Sequence, residues 1–242
     1  MRHLYTLAAA FALLTSASAG SAQVSDPAGD LIGTYTGPSS PDLDILSADV
    51  AFDGSNFFLS TTLDGTVGTT AGSLFVWGVD RGSGTPRLTF GSPSVGTGVL
   101  FDAVIVMFPD GTLRVVTIPL AGAPTISQLA GGTIVNGDTL SATVSSALLG
   151  SMGFAPEAYN FSLWSRARVN PAMDGTNAEI ADFLAGTLQA RAVPEPATWL
   201  MMLIGFGISG AAIRMRKRGG KDCGSPPEGM ALTRSGYRRA YA

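Results

Sequence analysis

Carboxylate oxygen is the main chemical resource in the middle of this sequence. The 242 residues include one histidine, His3, and one cysteine, Cys223, and neither lies between residues 23 and 193. Histidine-based triads, Cys-His dyads and zinc held by His or Cys are therefore excluded from that stretch. Asp26, Asp30, Asp42 and Asp44 stand close together, with Gly29 among them. Calcium takes six to eight oxygen ligands, and loop carboxylates next to glycine can supply several. The spacing is not that of an EF-hand loop. Asp and Gly also build ordinary turns, so the alternative reading of these four residues is local turn chemistry.

Two carboxylates on opposite sides of a sugar could also hydrolyse a glycosidic bond without histidine. Glutamates are scarce in residues 23–193, where only Glu157 and Glu179 occur. Nothing in the local sequence marks a catalytic pair, so the expectation is a non-enzymatic protein with no cofactor beyond calcium. A carbohydrate-binding module is the first alternative and a carboxylate-based glycan hydrolase the second. Trp77, Tyr159 and Trp164 are the aromatics that a sugar-binding face could use. The competing role for each is a place in the core of its strand.

The segment that must position these groups reads as β-structure. Ala48, Val50 and Phe52 alternate with less apolar neighbours, Asp53-Gly54-Ser55-Asn56 turns the chain, and Phe57, Leu59, Thr61 and Leu63 alternate again. This predicts a hairpin. Leu74 to Val79 is a short apolar strand. Val99–Phe108 and Thr112–Ile118 flank a Pro109-Asp110-Gly111 turn, and Thr133–Val135 and Thr139–Val144 flank Asn136-Gly137-Asp138. Tyr159 to Val169 predicts a late strand. Helix is expected only in two short pieces, Ser145–Ser151 and Asn177–Leu188. Hairpins at short intervals imply an all-β fold, an antiparallel β-sandwich of jelly-roll type.

Charge divides the chain. Residues 24–193 hold 15 acids and 6 bases, whereas eight bases and two acids follow Ile213. An acidic domain repels phosphate backbones, so nucleic acid is not an expected partner. The two ends are hydrophobic. Arg2, an apolar run from Leu4 to Leu14 and the small residues Ala17 to Ala22 have the order of a secretory signal peptide, cleaved after Ala22. Ala197 to Ile213 carries no charge. As a helix it is about 26 Å long, the short limit for a hydrocarbon core of about 30 Å. Trp199 lies at its outer end, and Arg214, Arg216, Lys217 and Arg218 follow it, which places the basic end in the cytoplasm and the acidic domain outside. Gly205-Phe206-Gly207-Ile208-Ser209-Gly210 spells a dinucleotide-binding pattern, but it lacks the strand before it and the acid after it. Its glycines fit close approach of another membrane helix instead.

Val193-Pro194-Glu195-Pro196, followed by Trp199, Met201, Met202, Gly205-Phe206-Gly207 and the basic cluster Arg214 to Arg218, resembles the PEP-CTERM sorting signal. The resemblance implies recognition by exosortase, a membrane-embedded cysteine transpeptidase or protease, near Pro194-Glu195-Pro196. It also implies delivery to the envelope or an exopolysaccharide matrix, first anchored in the inner membrane and then at the surface or secreted. Two prolines stop a helix from running through the motif, which leaves Glu195 on an extended stretch at the outer boundary. The expected organisation is a signal peptide at 1–22, a sandwich ectodomain at 23–192, the sorting signal at 193–218 with its transmembrane helix at 197–213, and a disordered cytoplasmic tail at 219–242. That tail departs from the family pattern, which ends near the basic cluster. Asp26-Pro27-Ala28-Gly29-Asp30, with Asp42-Leu43-Asp44-Ile45, weakly resembles the opening of DOMON-like and family-nine carbohydrate-binding sandwiches. This is a likeness of fold only.

Overall fold

The computed structural model describes residues 23–87, 96–173, 176–184, 186–193 and 204–206. The chain divides into two compact units, Met1–Val193 and Pro194–Ala242. The first unit holds every strand among the described residues.

Two antiparallel sheets face each other. The first has the order β1 (Val24–Ser25), β2 (Ile45–Phe52), β3 (Asn56–Leu63), β11 (Thr139–Ser145), β10 (Thr133–Asn136). The short β15 (Arg191–Ala192) adds to β2 in parallel. The second sheet runs β13 (Ile180–Phe183), β12 (Asn160–Ala167), β4 (Ser73–Asp80), β7 (Ala103–Met107), β8 (Leu113–Thr117), β9 (Thr125–Leu129), and β14 (Leu188–Gln189) shares the edge of β12 with β13. A two-stranded ribbon joins β5 (Thr85–Pro86) to β6 (Leu100–Phe101). The chain crosses between sheets after β3, returns after β9 and crosses again after β11. The all-β sandwich read from the sequence is the fold observed.

Alternation decides what each strand buries. In β3, Phe57, Leu59 and Leu63 point inward, and Leu140, Ala142 and Val144 of β11 do the same. Phe57 stacks on Phe52 at 4.6 Å and on Tyr159 at 5.6 Å, and packs against Phe161 at 5.4 Å. Each such side chain contributes about 1.5–3 kcal/mol by leaving water. The tightest departure from alternation is β4, which is buried along its whole length. Phe75, Trp77 and Val79 face the core between the sheets, while Leu74 and Val76 belong to a second apolar cluster. The second sheet is therefore covered on both faces along this strand.

Turns follow local chemistry. Asp53 Oδ1 accepts the amides of Ser55 and Asn56 at 2.8 and 2.7 Å, which shapes the hairpin between β2 and β3. Gly111, at φ +89°, supplies the left-handed residue after Pro109-Asp110. The two expected helices are not formed. Ser146–Leu148 and Asn177–Glu179 are single 3-10 turns. Ile180–Phe183 extends instead as β13, because pairing to the edge of β12 buries Ile180, Ala181 and Asp182.

Among the described residues no helix is long and apolar enough to cross a membrane. Of the expected span 197–213, only 204–206 are described, and these three are helical and exposed. The expected signal peptide, residues 1–22, and the tail, 219–242, lie outside the described residues.

Candidate functional site

The structure sets Asp42 apart from the other three sequence-predicted aspartates. Asp42, in the turn before β2, accepts Ser40 Oγ at 2.7 Å, and the Thr70 amide and hydroxyl at 2.8 and 2.5 Å. Burial pushes its carboxyl up, but the hydrogen bonds from Thr70 and Ser40 outweigh this and hold it below the usual range. Both carboxylate oxygens of Asp42 are engaged by Ser40 and Thr70. Asp26 and Asp30 instead meet Asp182 of β13, with one carboxylate oxygen from each lying within 4.8 Å of the others. Asp182 was missed by the sequence reading because it lies 152 positions beyond Asp30 and carries no motif around it. Its oxygens accept the amides of Ile45 at 2.7 Å and Phe183 at 2.7 Å. Burial nevertheless dominates, and with Asp26 and Asp30 adding repulsion the Asp182 carboxyl is pushed up to about 7. Asp44 stands beside this group. Its Oδ2 accepts Gly29 N–H at 2.6 Å, while Oδ1 is buried with no hydrogen-bond partner. Burial, with Asp30 and Asp64 nearby, raises its carboxyl.

A larger feature lies on the outer face of the second sheet. The outward residues of β4, β7, β12 and β13 form an apolar floor, and above it opens a groove of about 600 Å³. Its registers follow from pairing: Trp164 faces Val76, Arg166 faces Leu74, and Arg114 faces Val106. The wall carries Arg87, Arg114, Arg166 and Arg168, and no acid is among its described residues. Glu179, in the turn before β13, sits fully buried behind two of them. It accepts Arg166 Nη2 at 2.6 Å, Arg168 Nη1 at 3.4 Å, and the amides of Met173 and Val169. Burial would raise this carboxyl, but the Met173 amide, Arg166 and the Val169 amide together keep it below its ordinary value.

The aromatics named from the sequence are distributed unevenly. Trp77 and Tyr159 are fully buried in the core between the sheets, and the Tyr159 hydroxyl donates to Leu149 O at 2.8 Å. Trp164 reaches the groove but is only 3 % exposed, stacked on Phe183 at 5.7 Å and packed against Phe101. Nothing in the sequence singled out the four arginines, which come from three distant stretches.

The last strand leads directly into the terminal motif. Arg191 and Ala192 pair with Ala51 and Phe52, and Val193 N–H donates to Phe52 O at 2.8 Å. Residues 192–217 match the PEP-CTERM protein-sorting motif. The chain carries a PEP-CTERM sorting motif. Pro194, Glu195, Pro196, Trp199, Arg214, Arg216 and Lys217 fall within the match, with Arg218 one residue beyond, and all of them lie outside the described residues. The PEP-CTERM motif is a sorting signal recognised by exosortase, a membrane enzyme, and it marks an exported protein that is membrane-anchored before processing. No curated protein and no solved structure matches the chain.

Proposed function

We propose that this protein is a non-enzymatic envelope or extracellular-matrix component, held by the apolar segment 197–213 with its sandwich outside, and processed near Pro194-Glu195-Pro196. The observation that carries this reading is the PEP-CTERM match at residues 192–217. The charge step after Ile213 supports the orientation. Terminal masses of the mature chain from cells with and without the exosortase test it. Loss of the tail only where the enzyme is present is expected. An intact tail in both strains overturns the processing reading.

A carbohydrate-binding role for the ectodomain is the second reading, and the groove on the second sheet favours it. A hydrolase is less well supported. Glu179 is engaged by Arg166 and buried, and the described groove wall offers no carboxylate to pair with it.

For the Asp26–Asp30–Asp182 cluster the proposed ion is calcium, which accepts carboxylates in flexible geometry. The buried, unpartnered Oδ1 of Asp44 beside Asp30 supports this. Calcium at about 1 mM is then expected to raise the melting temperature of the wild type and not of Asp182→Asn. Identical melting in calcium and in chelator counts against it.

A further inference from the structure

We propose that the groove binds an anionic polysaccharide through its arginines. This rests on the carbohydrate-binding reading and narrows it to a ligand class.

The distribution of charge is the first argument. Residues 24–193 carry 15 acids and only six bases, all arginine. Four of those six line one groove, and no described residue of the wall is acidic. Glu179 sets the geometry of Arg166 and Arg168 from behind. Arg87 lies over the Phe101 ring at 5.9 Å and Arg114 over Phe108 at 5.3 Å, so both are held towards the wall by aromatic faces. Guanidinium forks match carboxylate geometry in two-point contacts.

The aromatics decide against a neutral glycan. A neutral sugar is usually gripped by an exposed ring face. Phe101 and Trp164 are 5 % and 3 % exposed, and Phe108 already faces Arg114. Binding energy must therefore come from the guanidiniums, with the aliphatic floor of Leu74, Val76 and Val104 meeting the C–H faces of sugar rings.

Spacing argues for a polymer. Arg114 on β8 and Arg166 on β12 are separated by β7 and β4. Three strand steps place their backbones about 14 Å apart. A chain with a charge on successive sugars can lie across a wall of that width. A nucleic acid fits less well, because the rest of the domain repels phosphate and none of the described rings lining the groove is exposed.

The test uses the full mature chain in non-ionic detergent and three probes: polygalacturonate, its fully methyl-esterified form, and double-stranded DNA. Polygalacturonate is expected to bind at least about tenfold tighter than either of the others, and less tightly as salt rises. Arg87→Gln with Arg114→Gln is expected to lower that affinity at least about tenfold. These two lie outside the Glu179 cluster, so the buried carboxylate keeps its partners. Arg191→Gln, on the first sheet, is expected to change nothing. Equal binding of the acid and the ester overturns the charged-ligand proposal and leaves the carbohydrate-binding reading standing. Binding of neither overturns both. Equal or tighter binding of DNA, or full affinity in the double variant, overturns the proposal.

Discussion

Asp182 shows how one side chain can set a pH response. Its carboxyl moves from an ordinary 3.8 to about 7 in the folded chain, with burial as the leading cause. Between those values the folded chain keeps a proton that the unfolded chain has released, so stability falls as pH rises through this window. Asp42 and Glu179 are shifted the other way and lose their contribution as pH falls below the ordinary carboxylate range. With chelator present, melting temperatures are expected to peak near the lower end of the Asp182 window and decline towards neutral pH. In Asp182→Asn the decline is expected to flatten, and a wild type with no decline would contradict the assignment. A different buried charge is costly to leave without its partner. Arg81 Nε meets Asp102 Oδ1 at 2.6 Å with both side chains nearly inaccessible, and Arg81 Nη1 also donates to Gly150 O. Asp102→Ala is expected to cost about 3–5 kcal/mol in urea unfolding, because it strands a buried guanidinium. Replacing both partners, Arg81→Met with Asp102→Leu, is expected to recover much of that loss. The sequence pointed to the Asp26–Asp44 region because loop carboxylates cluster there. It could not reveal that Asp42 is engaged by Thr70, which depends on the loop before β4 folding onto the turn before β2, or that Asp182 joins the group, which depends on β13 docking beside the start of β2.

At the scale of elements, the hairpins were legible because alternation and turn residues coincide. Asp53-Gly54, Pro109-Asp110-Gly111 and Asn136-Gly137-Asp138 all turn the chain where expected. The strands β13, β14 and β15 were not legible. They span two to four residues, too short for a period to show, and pairing to β12 or β2 creates them. One glycine in β4 has a specific task. A Cβ on Gly78 would lie 3.0 Å from Trp164 Cζ3, so the missing side chain lets the indole lie flat on the sheet. Gly78→Val is expected to displace Trp164 and to cost about 1–3 kcal/mol. A shifted tryptophan emission spectrum alongside the lowered unfolding midpoint would check it, and unchanged fluorescence would contradict this contact.

Across the whole molecule, net charge concealed the groove. A domain with 15 acids and six bases reads as uniformly acidic, and only the stacking of β8, β12 and the ribbon gathers Arg87, Arg114, Arg166 and Arg168 onto one face. The division between an acidic sandwich domain and a basic terminus was legible because it needs no fold at all. The same holds for the sorting motif, whose information is its order of residues rather than its packing.

The shared edge of β2 has one more consequence. Val24 lies opposite Ala48, and Arg191 lies opposite Ala51. Three residues of strand separate the points where the folded unit begins and ends, about 10 Å. A unit with neighbouring entry and exit works as a cassette, because it can be spliced into a host chain without stretching it. A circular permutant that joins Val193 to Gln23 through a brief glycine-serine bridge and opens the chain at Gly137 should fold with nearly the parental melting temperature. A permutant that stays unfolded would mean that the ends of the unit, and not only their nearness, hold it together.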